Sequence, residues 1–156
     1  MNIRNATIDD YSDIISLYMQ SDFYHFVNEP YIYAQTDTNF RSREYIQQII
    51  ENNESVFLVV ESNKEIVGFI YAYRETKGSL PIHANRTYLY IDNIVVKNSE
   101  QHKGYGKALL AEVIRIAKEK KYNDVVLNVY SFNVSAIKLY QNFGFTRLSE
   151  DMILKL

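Results

Sequence analysis

The sequence predicts an α/β chain built on a mixed sheet, and three observations carry that. Strand-like and helix-like runs follow the order strand, two helices, three strands, helix, strand, helix, strand. The front strands are linked as hairpins and are therefore antiparallel, whereas Thr87 to Lys97, a helical run and Val125 to Tyr130 make a strand–helix–strand unit with one parallel pair. Inside that unit stands a turn with two glycines, Gln101-His102-Lys103-Gly104-Tyr105-Gly106-Lys107, between an apolar strand and a helix.

Asn2 to Ala6 reads as a first strand. Thr7 is placed to cap a helix that carries Asp9 and Asp10 in its first turn and runs to about Met19, with Ile14, Ile15, Leu17 and Tyr18 at helical spacing. Phe23 to Asn39 is rich in aromatics and is expected to be irregular; a second helix spans Arg41 to Glu51. Ser55 to Glu61 and Glu65 to Arg74 are strands about the turn Ser62-Asn63-Lys64, and Thr76 to Arg86 is a polar loop with Gly78 and Pro81. The helical run Ala108 to Lys121 places Leu109, Leu110, Val113, Ile114 and Ala117 on one face. Asn133 to Asn142 is a short helix stopped by Gly144, and Thr146 to Leu156 supplies one or two last strands.

A chain of 156 residues fits a single domain over 1–156 and buries roughly two-thirds of its unfolded surface without staples. It has no cysteine, which excludes disulfides, thiolate metal sites and a cysteine nucleophile. His25, His83 and His102 are far apart, so no metal site is expected. No run approaches the roughly twenty apolar residues of a membrane span, and no secretory signal opens the chain, so a soluble, cytoplasmic protein is expected. The net charge of −2 argues against bulk nucleic-acid binding. Its distribution is uneven: residues 1–100 carry a net −6 and residues 101–156 a net +4. The basic part begins at the glycine turn.

Two glycines at a helix start let backbone N–H groups converge where the helix dipole favours negative charge, which makes a seat for phosphate. The spacing Q-x-x-G-x-G differs from that of the nucleotide P-loop and of the dinucleotide fingerprint. About thirty residues on comes Asn133-x-x-Ala136-x-x-x-Tyr140-x-x-x-Gly144-Phe145. Asn133 and Tyr140 are two helical turns apart and share a face, with the small Ala136 between them.

The strand Tyr90 to Val96, the glycine turn and this Asn-Ala-Tyr-Gly-Phe segment together resemble the GCN5-related N-acetyltransferase superfamily. The resemblance is specific over residues 88–145 and follows the element order of the whole chain. It implies an acyl-CoA N-acyltransferase fold, with antiparallel front strands and a splayed parallel pair flanked by helices. It also implies acetyl-CoA as the acetyl donor and an amine as acceptor. In that frame the backbone of Ile94, Val95 and Val96 meets the pantetheine arm. The amides from Gln101 through His102, Lys103, Gly104, Tyr105, Gly106 and Lys107 hold the pyrophosphate. Asn133 and Ala136 border the pantetheine, and the Tyr140 hydroxyl lies near the thioester sulfur. Family members often carry Arg where Gln101 stands and an aliphatic residue where Tyr105 stands. The resemblance is compatible with a homodimer.

Acetyl transfer needs a neutral amine, and a lysine-like amine has a pKa near about 10.4, so a base is required. Asp92 stands where many family members carry Glu. It serves as base directly or through a water, or is a hydrogen-bonded structural residue. Tyr140 would share a proton with the departing thiolate, and a backbone N–H near Ile94 or Val95 would stabilise the oxyanion. Tyr24, Phe26, Tyr31 and Tyr33 with Asp22, Glu29 and Asp37 suit an acceptor ammonium, or else cover a core. A polyamine, an amino acid, an aminoglycoside and a peptide N-terminus fit equally. The rival reading is a non-catalytic acyl-CoA-binding or regulatory module, which keeps the turn and gives Asp92 and Tyr140 no chemistry. A nucleotide-binding Rossmann-type domain is disfavoured by the missing G-x-G-x-x-G.

Overall fold

The computed structural model describes residues 1–36, 38–78 and 80–156. Its elements are β1 (Asn2–Asn5), a 3-10 turn (Ile8–Asp10), α1 (Tyr11–Asn28), α2 (Arg43–Glu51), β2 (Ser55–Ser62), β3 (Glu65–Lys77), β4 (Arg86–Val96), a second 3-10 turn (Asn98–Glu100), α3 (Tyr105–Glu119), β5 (Asp124–Leu127) and α4 (Val134–Asn142). The strands form one sheet in the order β1-β2-β3-β4-β5. All neighbours are antiparallel except β4 and β5, which run parallel.

Period-two alternation divides the sheet's side chains between two cores. Val56, Leu58 and Val60 of β2 face one way, with Ile70 and Ala72 of β3 and Leu89 and Ile91 of β4; Leu109, Leu110 and Val113 of α3 cover them. Phe57 and Val59, with Phe69 of β3, face the other way, under Ile14, Leu17 and Tyr18 of α1 and Ile46 and Ile49 of α2. The sheet is thus sandwiched between helices. Gly68 lets β3 and β4 pack closely, since a Cβ there would stand 2.7 Å from the Val95 carbonyl oxygen.

Several boundaries differ from the sequence expectation. The first helix runs to Asn28, because Phe23 to Asn28 continue α1 and lay Tyr24 and His25 against Phe132 and Tyr130. The α2 helix starts at Arg43, after Ser42, whose Oγ accepts the Tyr45 N–H at 3.1 Å. The α3 helix begins at Tyr105, three residues early, directly after Gly104 in the left-handed region. Thr146 to Leu156 forms no strand: these residues find no ladder partner, and no backbone hydrogen bond joins them to any described residue.

Candidate active site

The site begins where β4 and β5 part. Their parallel ladder holds from Tyr88↔Asp124 to Ile91↔Leu127 and then stops. The strand expected to reach Tyr130 therefore ends at Leu127. A bulge lies at Asp92: on β3, Tyr71 opposes Asn93 and the next residue, Ala72, opposes Ile91. Beyond it, Lys97 donates its N–H to Val67 of β3 at 2.8 Å. By alternation Val95 also faces β3, while the N–H and C=O groups of Ile94 and Val96 face the gap. The Val95 side chain is buried under α1 and α2. The Val96 carbonyl already accepts from Gln20 Nε2 at 3.0 Å and Gln101 Nε2 at 3.4 Å, and Gln20 Oε1 accepts the Asn98 N–H at 2.9 Å. Gln20 of α1 thus clamps the end of β4. No local pattern in the sequence marks it, because its partners lie 76 and 78 positions away.

The glycine turn follows. His102 has φ 63° and Gly104 φ 92°, so two left-handed residues aim the chain into α3. Among the described residues, none of the amides from His102 to Lys107 donates to a protein acceptor; Ala108 is the first to do so, to the Gly104 carbonyl at 3.0 Å. A Cβ on Gly104 would meet nothing within 4 Å, so its outer side is open. Gly106 packs toward Val96 and Leu139. The Tyr105 side chain is buried in the core, and its hydroxyl donates to Ser62 Oγ at 2.8 Å. Gln101 braces the turn through the Asn98 Oδ1 at 3.1 Å, and Lys103 pairs with Glu100 at 2.8 Å. Lys107 is exposed.

The α4 helix lies along the same gap. Asn133 Oδ1 caps it by accepting the Ala136 N–H at 3.2 Å. Tyr140 is buried, its ring 5.8 Å from that of Phe145. Its hydroxyl has no hydrogen-bond partner among the described residues and is not sealed from solvent. Burial pushes the Tyr140 phenol up to about 12.

On the other side of β4, Asp92 opens into a cavity of about 310 Å³ lined by Tyr18, Phe40, Arg41, Tyr45, Asp92 and Asn93. Desolvation raises the Asp92 carboxyl above its usual range, and the Arg41 charge opposes that. Arg41 is fixed from three directions. Its two Nη atoms donate to Asp22 at 2.7 and 3.0 Å, and its guanidinium lies 4.2 Å from the ring centres of both Tyr18 and Phe40. Asp22, expected to meet an ammonium, is therefore engaged by Arg41. Asp37 lies outside the described residues. Tyr24 and Tyr33 join His25, Tyr130 and Phe132 in a seam, where the Tyr33 hydroxyl donates to that of Tyr130 at 2.9 Å. The seam ties the end of α1 to the segment after β5. Phe26 contacts only Phe23 among the aromatics, and Tyr31 is exposed beneath Lys155. Apart from the adjacent Asn93, the cavity's other lining residues come from α1, α2 and the segment before α2, so only the tertiary fold brings them to Asp92.

The chain belongs to the acetyltransferase (GNAT) family, whose profile matches residues 20–145. It is 29% identical to N-acetyltransferase 8B from Homo sapiens over 122 residues, 76% of this chain and 49% of that protein. It is 31% identical to the SPbeta prophage-derived N-acetyltransferase YokL from Bacillus subtilis over 106 residues, 67% of this chain and 55% of that protein. The chain therefore spans about half the length of these curated relatives. Among solved structures, a mutant of the BH1408 protein from Bacillus halodurans superposes with a TM-score of 0.94 at 24% identity, covering 100% of this chain and 99% of that one. That likeness carries the fold. No helix among the described residues is long and apolar enough to cross a membrane.

Proposed function

We propose that residues 1–156 form one cytoplasmic catalytic domain that moves the acetyl group of acetyl-CoA directly to a primary amine of a small molecule or peptide. The observation that carries this reading is the parting of β4 and β5 beside a helix start with a run of unpartnered amides. Acetyl-CoA, when bound, supplies an activated acyl group on a thiol leaving group. The turn amides would hold its diphosphate, with Lys107 adding charge. The outward C=O of Ile94 and the N–H of Val96 would pair with the amides of its arm. Asn133 and Ala136 would border that arm.

Asp92 would take the proton that the acceptor amine sheds, directly or through a water. Its elevated carboxyl makes it a better base than an ordinary aspartate. The Ile94 N–H, which faces the gap, would stabilise charge developing on the acyl oxygen. Tyr140 would hydrogen-bond the leaving sulfur; the ammonium's first proton goes to Asp92 before attack, and the second, lost as the amide forms, ends on the thiol. A direct transfer is favoured by the lack of cysteine. The test is a panel of polyamines, amino acids, aminoglycosides and peptides, read both as released thiol and as a gain of one acetyl mass on the acceptor. Thiol release without an acetylated product, or coenzyme binding with no turnover across the panel, favours the non-catalytic module.

A further inference from the structure

A file of tyrosines leads away from the Asp92 cavity along the sheet. From the buried Phe69 outward, alternation on β3 sets Tyr71, Tyr73 and Glu75 on the face that carries α1 and α2. The register places Tyr90 opposite Tyr73 and Tyr88 opposite Glu75. The ring centres of Tyr71 and Tyr73 are 5.8 Å apart, and those of Tyr73 and Tyr90 are 5.5 Å apart. All three of these rings and Glu75 are half-buried.

A carboxylate stands at each end of the file. Burial raises the Tyr73 and Tyr90 phenols, and the charges of both Asp92 and Glu75 reach them and raise them further. Neither carboxylate forms an ion pair among the described residues. Arg41, whose charge reaches Asp92, is held by Asp22. Past Glu75 the row turns basic, with Lys77 opposite Arg86. Aromatic faces between two unpaired carboxylates attract cations, and the net −6 of residues 1–100 draws them in.

The spacing sets the length of such a ligand. Tyr88, opposite Glu75, precedes Asp92 by four residues, which is roughly 13 Å of strand. An ammonium sits about 3 Å from each carboxylate, partly along this line, which leaves roughly 10 Å between two nitrogens. An extended triamine with propyl and butyl spacers spans about 11 Å from end to end, and a butane diamine only about 6 Å.

We propose that Glu75 is the subsite for a second ammonium, so that the acceptor is a linear polyamine laid along Tyr73 and Tyr90 with its reacting nitrogen at Asp92. This rests on the proposed transfer and adds where the rest of the acceptor lies. The inner ammonium passes over the two rings in cation–π contact. Lys77 and Arg86 repel a charge carried farther, which ends the subsite at Glu75.

Calorimetry on the full chain, with and without coenzyme A, reads binding apart from turnover. The triamine spermidine should bind at least about tenfold tighter than butylamine, with putrescine between them. Glu75→Gln should remove most of that advantage, and Glu75→Lys all of it. Equal affinities for spermidine and butylamine in the wild type overturn the proposal. So does an advantage that survives Glu75→Gln, or an aromatic monoamine, tyramine, that outbinds spermidine. Should Glu75→Lys fail to fold, Glu75→Gln decides, since it keeps the shape of the side chain. Acetylated product measured in parallel by mass, with acetyl-CoA present, separates this subsite from the transfer itself. The affinity pattern without any acetylated amine supports the subsite and ends the transfer reading. Acetylation of butylamine and spermidine at equal kcat/KM ends the subsite and keeps the transfer.

Discussion

A tyrosine whose phenol is lifted to about 12 keeps its proton throughout the range in which the protein works. A thiol titrates near about 8.5, so Tyr140 would serve the leaving sulfur as a hydrogen-bond donor and not as a strong acid. Tyr140→Phe should therefore leave coenzyme affinity unchanged and lower turnover by roughly ten- to a thousandfold; equal turnover removes Tyr140 from the chemistry. Asp92 acts at the other end of the pH scale. Its raised carboxyl is neutral and inert below its elevated pKa and becomes a base above it. The rate should climb with pH through that value, and Asp92→Asn should lose the limb along with roughly ten- to a hundredfold of activity. Because the folded state raises this pKa, ionised Asp92 opposes folding at neutral pH, so the Asn variant should also melt no lower than wild type. A retained acid limb in Asp92→Asn would assign it to another group. At Gly104 the backbone requirement is separable from the core. A side chain at φ 92° costs about 1–2 kcal/mol, but its Cβ meets no protein atom, so Gly104→Val should stay folded. The new methyls would stand among the turn amides, and calorimetry should find coenzyme binding lost. Unchanged affinity would put the diphosphate elsewhere.

At the scale of elements, a charged clasp joins the first strand to the first helix. Arg4 donates to Asp10 at 2.7 and 2.8 Å and to Glu61 at 2.7 and 2.9 Å, and the Asp10 side chain is 8% exposed. Burial pushes the Asp10 carboxyl up, but hydrogen bonds from Arg4 and Thr7 outweigh it and hold it below the usual range. A depressed carboxylate contributes stability that is complete above its unfolded value, near about 3.9, and is lost as pH falls through its folded one. Removing the cation leaves a buried charge without its partner. Arg4→Met should cost roughly 1–3 kcal/mol in urea unfolding at pH 7, and the deficit should shrink as pH falls through the depressed Asp10 value. A deficit independent of pH would mean that the lost contribution was packing of the arginine stem. The clasp also shows what local pattern conveys. Thr7 with Asp9 and Asp10 marks a helix start, and the continuous apolar run Val56 to Val60 marks a strand buried on both faces. The length of α1 was not legible, because residues 23–28 are held as helix by Phe132 and Tyr130, which are remote in sequence. The tail misled for the opposite reason: its apolar residues alternate as in a strand, but residues 146–156 find no ladder partner among the described residues.

Across the whole molecule, the turn and helix proposed to seat the coenzyme were legible in sequence, and the cavity at Asp92 was not. The glycine turn, Asn133 and Tyr140 belong to two contiguous segments whose spacing survives folding. Gln20, Arg41 with Asp22, and the cavity at Asp92 depend on α1 and the approach to α2 crossing β4, which no periodicity encodes. The uneven charge gains a more definite meaning from the structure. Lys103, in the basic half, is held by Glu100, and Gln101 is occupied with the Asn98 side chain, so a diphosphate at the turn would rely on amide dipoles and Lys107. Dipoles fixed in a helix start are short-ranged, whereas the net +4 of residues 101–156 acts through solvent and is screened within about 8 Å at physiological salt. Raising sodium chloride from about 0.05 to 0.5 M should therefore slow coenzyme association several-fold while changing its dissociation little. Stopped-flow binding separates the two rates. A salt effect confined to dissociation would show that exposed lysines, and not the amides of the turn, hold the diphosphate.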